Sequence, residues 1–531
     1  MMTNRAKEKD AVWTADLGNG TYQNPIIHAD LSDPDVIHVG EDFFMVASSF
    51  NMSPCLPLLH SRDLVNWTIV NHISKTFPDL SYDRPRHGDG VWAPSIRYHD
   101  GKYWVFFGAP DEGIYMSTAE NPFGTWSELR LIKEVKGWID PCPFWDDDGQ
   151  AYLVHAFARS RIGFKHILQI CKMKPDGTAL LDDGKYIYDG TTKHPTIEGP
   201  KMYKRNGYYY IFAPAGGVAT GWQTVLRSTS IYGPYVDKVV LAQGSTTING
   251  PHQGGWIELD SGESWFVHFQ DKGAYGRITH LQPMRWEDDW PVMGTNVDEN
   301  GVGEPVMQWK KPNVIANNQD IMVPQTTDLF DGKSLGLQWQ WRANMNRKWY
   351  DLGNNRLRLF AIRDPENDAN LYDRPQIIAQ KFPAPEFTAT TKVELKTENE
   401  QDCCGLTVMG RSYGALKVRK TGERIGIFLI KGENDDEGTV EVETKIGQME
   451  VQPCFLRVEV IENAVCQFSY STDGLEYIHV GSPFHATAGK WVGSQVGIFC
   501  IHEGRSLSKG YADFHLFEME QVKKKVRGKK R

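Results

Sequence analysis

The sequence predicts an all-β protein, a five-bladed β-propeller followed by a β-sandwich. A two-strand motif recurs five times within residues 22–300. Beyond residue 325 the chain breaks into short runs of alternating apolar and polar residues. That region carries no helical apolar period of useful length. Recurrence at a fixed phase is the signature of repeat architectures, and alternation is that of half-buried strands.

Each repeat joins a small or acidic residue near a Pro to an apolar strand, a Gly- or Asp-bearing turn and an aromatic strand. The first runs from Asp33-Pro34-Asp35-Val36-Ile37 through Gly40-Glu41-Asp42 to Phe43-Phe44-Met45-Val46. Trp92-Ala93-Pro94-Ser95-Ile96 leads through Asp100-Gly101 to Tyr103-Trp104-Val105. Asp140-Pro141-Cys142-Pro143-Phe144 leads through Asp147-Asp148-Gly149 to Ala151-Tyr152-Leu153-Val154. Glu198-Gly199-Pro200-Lys201-Met202 leads through Asn206-Gly207 to Tyr208-Tyr209-Tyr210. Gly250-Pro251-His252 leads through Trp256-Ile257 and Ser261-Gly262 to Trp265-Phe266-Val267. The turns are hairpin signals. The spacing of roughly 50 residues suits four-stranded blades; six blades is the rival count.

Residues 1–21 read as an N-terminal extension and 22–304 as the propeller. Pro305, Pro312 and Pro324 with the polar run 313–320 mark a linker over 305–325. Segments such as Phe455-Leu456-Arg457-Val458-Glu459-Val460, with turns at Asn354-Asn355 and Asp473-Gly474, assign 326–520 to a sandwich. Residues 521–531 form a basic tail, read as a solvated end.

Composition narrows the function classes. Charged residues make up 24% and hydrophobic ones 40%, which excludes a disordered chain. A net charge of −9 argues against nucleic acid as a partner. Eight cysteines without CxxC spacing argue against thiolate metal sites and a disulfide framework, and Cys403-Cys404 reads as buried strand packing. The first 16 residues hold no apolar signal region and no apolar run is long enough for a membrane span. As it stands the sequence reads as cytoplasmic, and as secreted or periplasmic if a signal peptide has been trimmed. Seventeen Trp residues fit either an aromatic-rich β core or flat apolar walls for sugar rings.

Three of the five repeats place an acid at equivalent positions: Asp33, Asp140 and Glu198. Strand starts of different blades converge near a propeller's axis, so these carboxyls meet in one small pocket. Such a cluster is unfavourable unless a proton, a cation or a function holds it. Each acid singly also fits a turn-capping role. Together they fit glycoside hydrolysis by a carboxylate pair, with a third acid raising the proton donor's pKa, or divalent metal binding. Asp35 falls on the same strand face as Asp33 and backs it or pairs with a neighbour. Asp146, Asp147 and Asp148 read as a solvated hairpin turn.

At these residues the chain resembles glycoside hydrolase family 43, the β-xylosidases and α-L-arabinofuranosidases. Asn24-Pro25-Ile26-Ile27, Asp33-Pro34-Asp35, Ser48-Ser49-Phe50, Leu59-His60-Ser61-Arg62-Asp63, Val91-Trp92-Ala93-Pro94, Ile139-Asp140-Pro141, Ile197-Glu198-Gly199-Pro200 and Gly276-Arg277 carry the likeness. Leu329-Phe330-Asp331, Trp339-Gln340-Trp341 and Tyr511-Ala512-Asp513-Phe514 resemble the concanavalin-like sandwich that follows such propellers. The resemblance implies an inverting mechanism with Asp33 as general base, Glu198 as general acid and Asp140 as the modulator of the acid's pKa. It implies substrate contacts from Phe50, Trp92 and Arg277, and a closed single-sugar pocket that acts on chain ends. His252 matches a histidine that in some members holds a central calcium through water; a hydrogen-bonding filler of the channel is the other reading. Two departures stand out. Lys201 takes the place of a His, and Gly250-Pro251-His252 replaces a Gly-His pair.

The expected activity is therefore exo-acting, inverting release of terminal xylose or arabinofuranose from xylan- or arabinan-derived oligosaccharides. No cofactor is needed for the chemistry; a structural calcium held through water by His252 is the one metal left open. The partner is an oligosaccharide or polysaccharide, with no nucleic acid or membrane, and a homo-oligomer stays open. The alternatives are an endo-arabinanase, a non-catalytic carbohydrate-binding propeller and a metal-stabilised scaffold.

Overall fold

The structure, a computed structural model, describes residues 11–314, 320–364, 370–435, 437–450 and 453–522. Most of the basic tail, the first ten residues of the N-terminal extension and part of the linker lie outside the described residues. The chain divides into two compact units, one of Thr14–Val323 and one of Pro324–Arg531 with the first thirteen residues.

Five four-stranded antiparallel sheets build the first unit, each in sequence order. Their first strands are Asp35–Val39, Trp92–His99, Trp138–Trp145, Lys201–Arg205 and His252–Glu258. They are the five blades of a β-propeller, as the repeat predicts. The hairpins turn where the sequence places Gly, Asn or Asp. Asp100 and Gly101 have φ of 48° and 72°, and Asn206 and Gly207 have 50° and 79°. Two consecutive left-handed residues match the twist of the strands they join.

Each sheet buries apolar residues on both faces against its neighbours. Val36, Met45 and Trp67 of blade 1 pack with Ile257, Trp265 and Leu281 of blade 5. Phe44 and Leu58 of blade 1 meet Ile96, Val105 and Phe107 of blade 2. Phe106 and Ile114 of blade 2 meet Leu153 and Cys171 of blade 3. Val154 and Ile170 pack with Ile211 and Leu226 of blade 4. Phe212 and Val225 pack with Phe266 and Met284 of blade 5. Burial of large side chains at every interface, worth roughly 1.5–3 kcal/mol each, closes the ring.

The N-terminal segment seals that ring. Asn24 Nδ2 donates to Leu281 O at 2.8 Å and Asn24 Oδ1 accepts from Leu281 N at 2.9 Å. Thr21–Gln23 pairs antiparallel with Gln308–Lys310, and Lys311 bridges Asp16 at 2.5 Å and Asp63 at 2.8 Å. Parts of the stretches read from sequence as extension and linker thus form a strand pair of the propeller unit. The linker strand is exposed along its length, in keeping with its polar, Pro-flanked sequence.

The second unit is a two-sheet β-sandwich. Among the described residues one sheet has eight strands and the other seven. The pattern is legible in Cys454–Ile461, whose alternate residues Cys454, Leu456, Val458 and Val460 are fully buried. Cys403 and Cys404 are both buried in Asp402–Met409, a strand paired on both edges. No helix among the described residues is long and apolar enough to cross a membrane.

Candidate active site

In every blade a residue at or just before the first strand has positive φ: Asp33 at 55°, Ala93 at 32°, Asp140 at 57°, Gly199 at 58° and Gln253 at 34°. In blades 2, 3 and 5 the strand register also shifts at this point, between Trp92 and Ser95, Ile139 and Cys142, and His252 and Gly254. Bulges re-aim side chains, and strained backbone persists where surroundings over-determine it. The same irregularity, repeated around the ring, turns Asp33, Asp140 and the residues after Glu198 toward a common centre.

Asp33 is 6% exposed and wholly engaged. Its Oδ2 accepts from Ser48 Oγ at 2.7 Å and Ser32 Oγ at 3.0 Å. Arg277 Nη1 donates to Oδ1 at 3.0 Å and lies 3.3 Å from Oδ2. Ser48 Oγ in turn accepts from Ala93 N at 2.7 Å, tying blade 1 to blade 2. Arg277 is itself placed. Its main-chain N–H donates to Asp30 Oδ1 at 2.8 Å, and its guanidinium carbon lies 5.0 Å above the Phe269 ring. The preceding Gly276 has φ of 72°, and a Cβ there would fall 2.5 Å from the Asp30 carboxyl.

Asp140 is 4% exposed, and its Oδ2 accepts from Gly199 N at 2.8 Å. Burial, then the charges of Glu198 and Asp33, push its carboxyl up to about 8; the Gly199 hydrogen bond and Lys201 pull the other way. Desolvation and like charge both disfavour ionisation, so the cluster retains a proton at neutral pH. Gly199 must be Gly here. Besides its left-handed φ, a Cβ would meet the Gln253 side chain at 2.7 Å.

Glu198 is the most open of the three, with 26% of its side chain exposed. Its Oε1 lies 2.9 Å from His252 Nε2, and His252 Nδ1 is buried without a hydrogen-bond partner. His252, read from sequence either as a water-held calcium contact or as a channel filler, thus faces the acid. Phe50 and Trp92 meet edge-to-face at 6.3 Å, and Trp92 Nε1 donates to Gly88 O at 2.9 Å. The Arg161 guanidinium carbon lies 5.4 Å over the Trp92 ring and the side chain pairs with Asp89 and Asp111.

Asp33, Asp140 and Glu198 come together with His252 and Arg277, and Trp92 precedes Ala93, whose N–H bonds the serine that holds Asp33. Asp146, Asp147 and Asp148 lie apart, at the other end of the Trp138–Trp145 strand. Asp35 turns away from Asp33: its Oδ2 meets Arg97 Nη1 at 2.6 Å. Asp146 is not solvated, but binds Lys204 at 2.5 Å and Tyr209 Oη at 2.5 Å. Sequence reasoning gave no role to Ser32, Ser48, Asp30 or Lys201. Ser48 stood in a quoted motif, but nothing local marks which serine reaches Asp33.

Comparison with known proteins agrees with the two-part all-β fold. The profile described as Glycosyl hydrolases family 43 matches residues 22–291, and that of the Beta xylosidase C-terminal Concanavalin A-like domain matches residues 327–520. A putative beta-xylosidase of Xylanibacter ruminicola is 42% identical over 92% of this chain and 88% of its own. A non-reducing end alpha-L-arabinofuranosidase of Bacteroides ovatus is 29% identical over 78% of this chain and 80% of its own. Among solved structures, a bifunctional GH43-CE protein of Bacteroides eggerthii superposes with a TM-score of 0.81 at 26% identity, covering 94% of this chain and 63% of that one.

Proposed function

The chain belongs to glycosyl hydrolase family 43, and from that premise we propose that it is an exo-acting, inverting hydrolase that releases terminal xylose from xylan-derived oligosaccharides. The observation that carries the reading is the contrast between two carboxyls. Asp33 is buried and accepts from three donors, whereas Glu198 emerges beside a second acid that is pushed up to about 8.

A carboxylate fixed as an acceptor is suited to draw the proton from an attacking water. Ser32, Ser48 and Arg277 aim Asp33 without neutralising it by proton transfer. Glu198, more exposed, is suited to protonate the departing glycosidic oxygen. The proton it needs is retained because Glu198 and Asp140 share one region with Asp33 and cannot all ionise. Water attacks the anomeric carbon as that oxygen leaves; its proton passes to Asp33 and the Glu198 proton to the leaving group. One displacement inverts the configuration. Arg277 and the Phe50–Trp92 pair supply a fixed cation and an aromatic wall for the terminal sugar. Asp33 and Asp140 are nearly inaccessible, which favours a chain end over a chain interior.

Xylose takes precedence over arabinofuranose because the relative at 42% identity is named for xylose release. The arabinofuranosidase relative sustains the second reading. Two measurements test the proposal. Turnover of 4-nitrophenyl β-D-xylopyranoside is compared with that of the α-L-arabinofuranoside, and proton NMR reads the first-formed sugar. The expected results are faster turnover of the xyloside and α-xylose as the initial product. Initial β-xylose, or a ladder of internal fragments from a long xylo-oligosaccharide, rules out the mechanism or the exo action.

A further inference from the structure

Beneath the acid cluster a second charged group links all five blades. Lys201, 0% exposed, opens the first strand of blade 4. Its Nζ donates to Pro94 O at 2.8 Å and Ser95 Oγ at 2.7 Å on blade 2, and lies 3.9 Å from Asp35 Oδ2 on blade 1. Asp35, also 0% exposed, accepts from Ile96 N at 2.9 Å and Arg97 Nη1 at 2.6 Å. Arg97 Nη2 lies 2.9 Å from Cys142 Sγ on blade 3, and its guanidinium carbon lies 5.2 Å from the Tyr203 ring on blade 4. Tyr203 Oη accepts from Trp256 N of blade 5 at 3.1 Å.

We propose that the Lys201 ammonium is a built-in axial cation, filling the place beneath the acids that a metal ion would take, so that the propeller holds its channel together without a divalent ion. The donor set is the first argument. A main-chain carbonyl, a hydroxyl and a carboxylate are the hard oxygen ligands that calcium or magnesium seeks, and here they surround the ammonium.

Charge balance is the second argument. With one proton held between Asp140 and Glu198, the three negative charges left on Asp33, Asp35 and that pair are matched by Arg97, Lys201 and Arg277. A divalent ion would add two charges to a group already neutral. Lys201 is among the influences that draw Asp140 downward, so its charge is felt at the cluster.

Space is the third argument. Asp35 Oδ1 has no hydrogen-bond partner, but blade 5 closes over it: a Cβ on Gly255 would fall 2.9 Å away. Among the described residues no three His, Cys, Asp or Glu side chains are grouped to hold a metal. The axis therefore does not fit the calcium that His252 suggested from sequence.

The test uses the full chain. Thermal unfolding and xyloside turnover are measured after dialysis against EDTA, and again with calcium or magnesium restored. Both should be unchanged throughout; a Tm that falls in chelator and recovers with calcium overturns the proposal. Lys201→Ala opens an oxygen-lined vacancy. Its Tm should drop by several degrees and rise again with calcium or methylammonium, neither of which moves the wild type. A Lys201→Ala protein as stable as wild type in chelator overturns the proposal as well. Should that variant not fold, Lys201→Met keeps the volume; it should lose stability and gain none from calcium, and wild-type stability in it counts against the proposal.

Discussion

Asp140 Oδ2 accepts a 2.8 Å hydrogen bond from the main-chain N–H of Gly199, the residue directly after Glu198. The acid pushed up to about 8 is thereby held at the backbone of the proposed proton donor. Two blades meet through this bond, which fixes the Asp140 carboxyl against the main chain that carries Glu198.

Asp140→Asn keeps an acceptor for Gly199 but removes the charge that helps the cluster retain its proton. The alkaline limb of kcat/KM, expected near pH 8 in the wild type, should move to lower pH, with kcat down by roughly 10²-fold or more. A pH-rate series on the xyloside checks both. An unmoved alkaline limb would show that Asp140 does not act on the proton donor.

The two proposed catalytic acids should separate by leaving group. Glu198→Gln should lose roughly 10³-fold on xylobiose but far less on a dinitrophenyl xyloside, whose leaving group needs no proton. Asp33→Asn should be impaired alike on both, because water activation is lost in each. Equal losses of Glu198→Gln on the two substrates would remove it from the acid's role.

Arg277 offsets the charge of a buried carboxylate. Removing one partner of a buried pair typically costs about 3–5 kcal/mol. Arg277→Met should therefore lower both Tm and kcat/KM, the latter by roughly 10²-fold or more. Arg277→Lys should recover little, since its single point charge does not reproduce the bond to Ser32 Oγ at 2.7 Å together with that to Asp33. Calorimetry and steady-state kinetics on the two variants decide it.

Acid should unfold the protein through histidines as well as carboxylates. Burial pushes His155 and His268 down to about 4 and His28 to about 3, and holds His280 well below its usual value. These folded values lie below the unfolded value near 6.5, so the unfolded chain binds more protons below that pH. Their contribution is full above pH 6.5 and is lost as pH falls toward 4. Tm should be lower at pH 5 than at pH 7 by roughly 5 °C or more. Asp140 acts in the opposite sense, its raised value favouring the fold at low pH and losing that benefit as pH rises toward 8. His268→Gln should flatten the acid limb, a slope that differential scanning calorimetry reads directly.

The blades were legible because each is a local object. A strand, a Gly- or Asn-bearing turn such as Asn206-Gly207 and an aromatic strand lie within some twenty residues, and the five copies share one phase. The sandwich was legible for the same reason in strands such as Cys454–Ile461, where alternation of period two is unbroken. Asp33, Asp140 and Glu198 stood out because equivalent positions in a closed ring must converge.

Partners drawn from distant parts of the chain could not be read that way. Arg277 reaches Asp33 across 244 positions, and Lys201 reaches Ser95 across 106. Nothing near Ser48 distinguishes it from Ser49, yet Ser48 alone spans Asp33 and the Ala93 N–H. Asp35 lies two residues from Asp33, but left-handed φ at Asp33 breaks the strand period between them, and they face different cations. The sequence by itself determined the repeat, the strands within it and the acids that recur with them, since period and turn chemistry are properties of neighbouring residues. Only the tertiary structure decided which donor holds which carboxylate and which oxygens surround the Lys201 ammonium, because those pairings exist only once the ring is closed and water has been excluded from it.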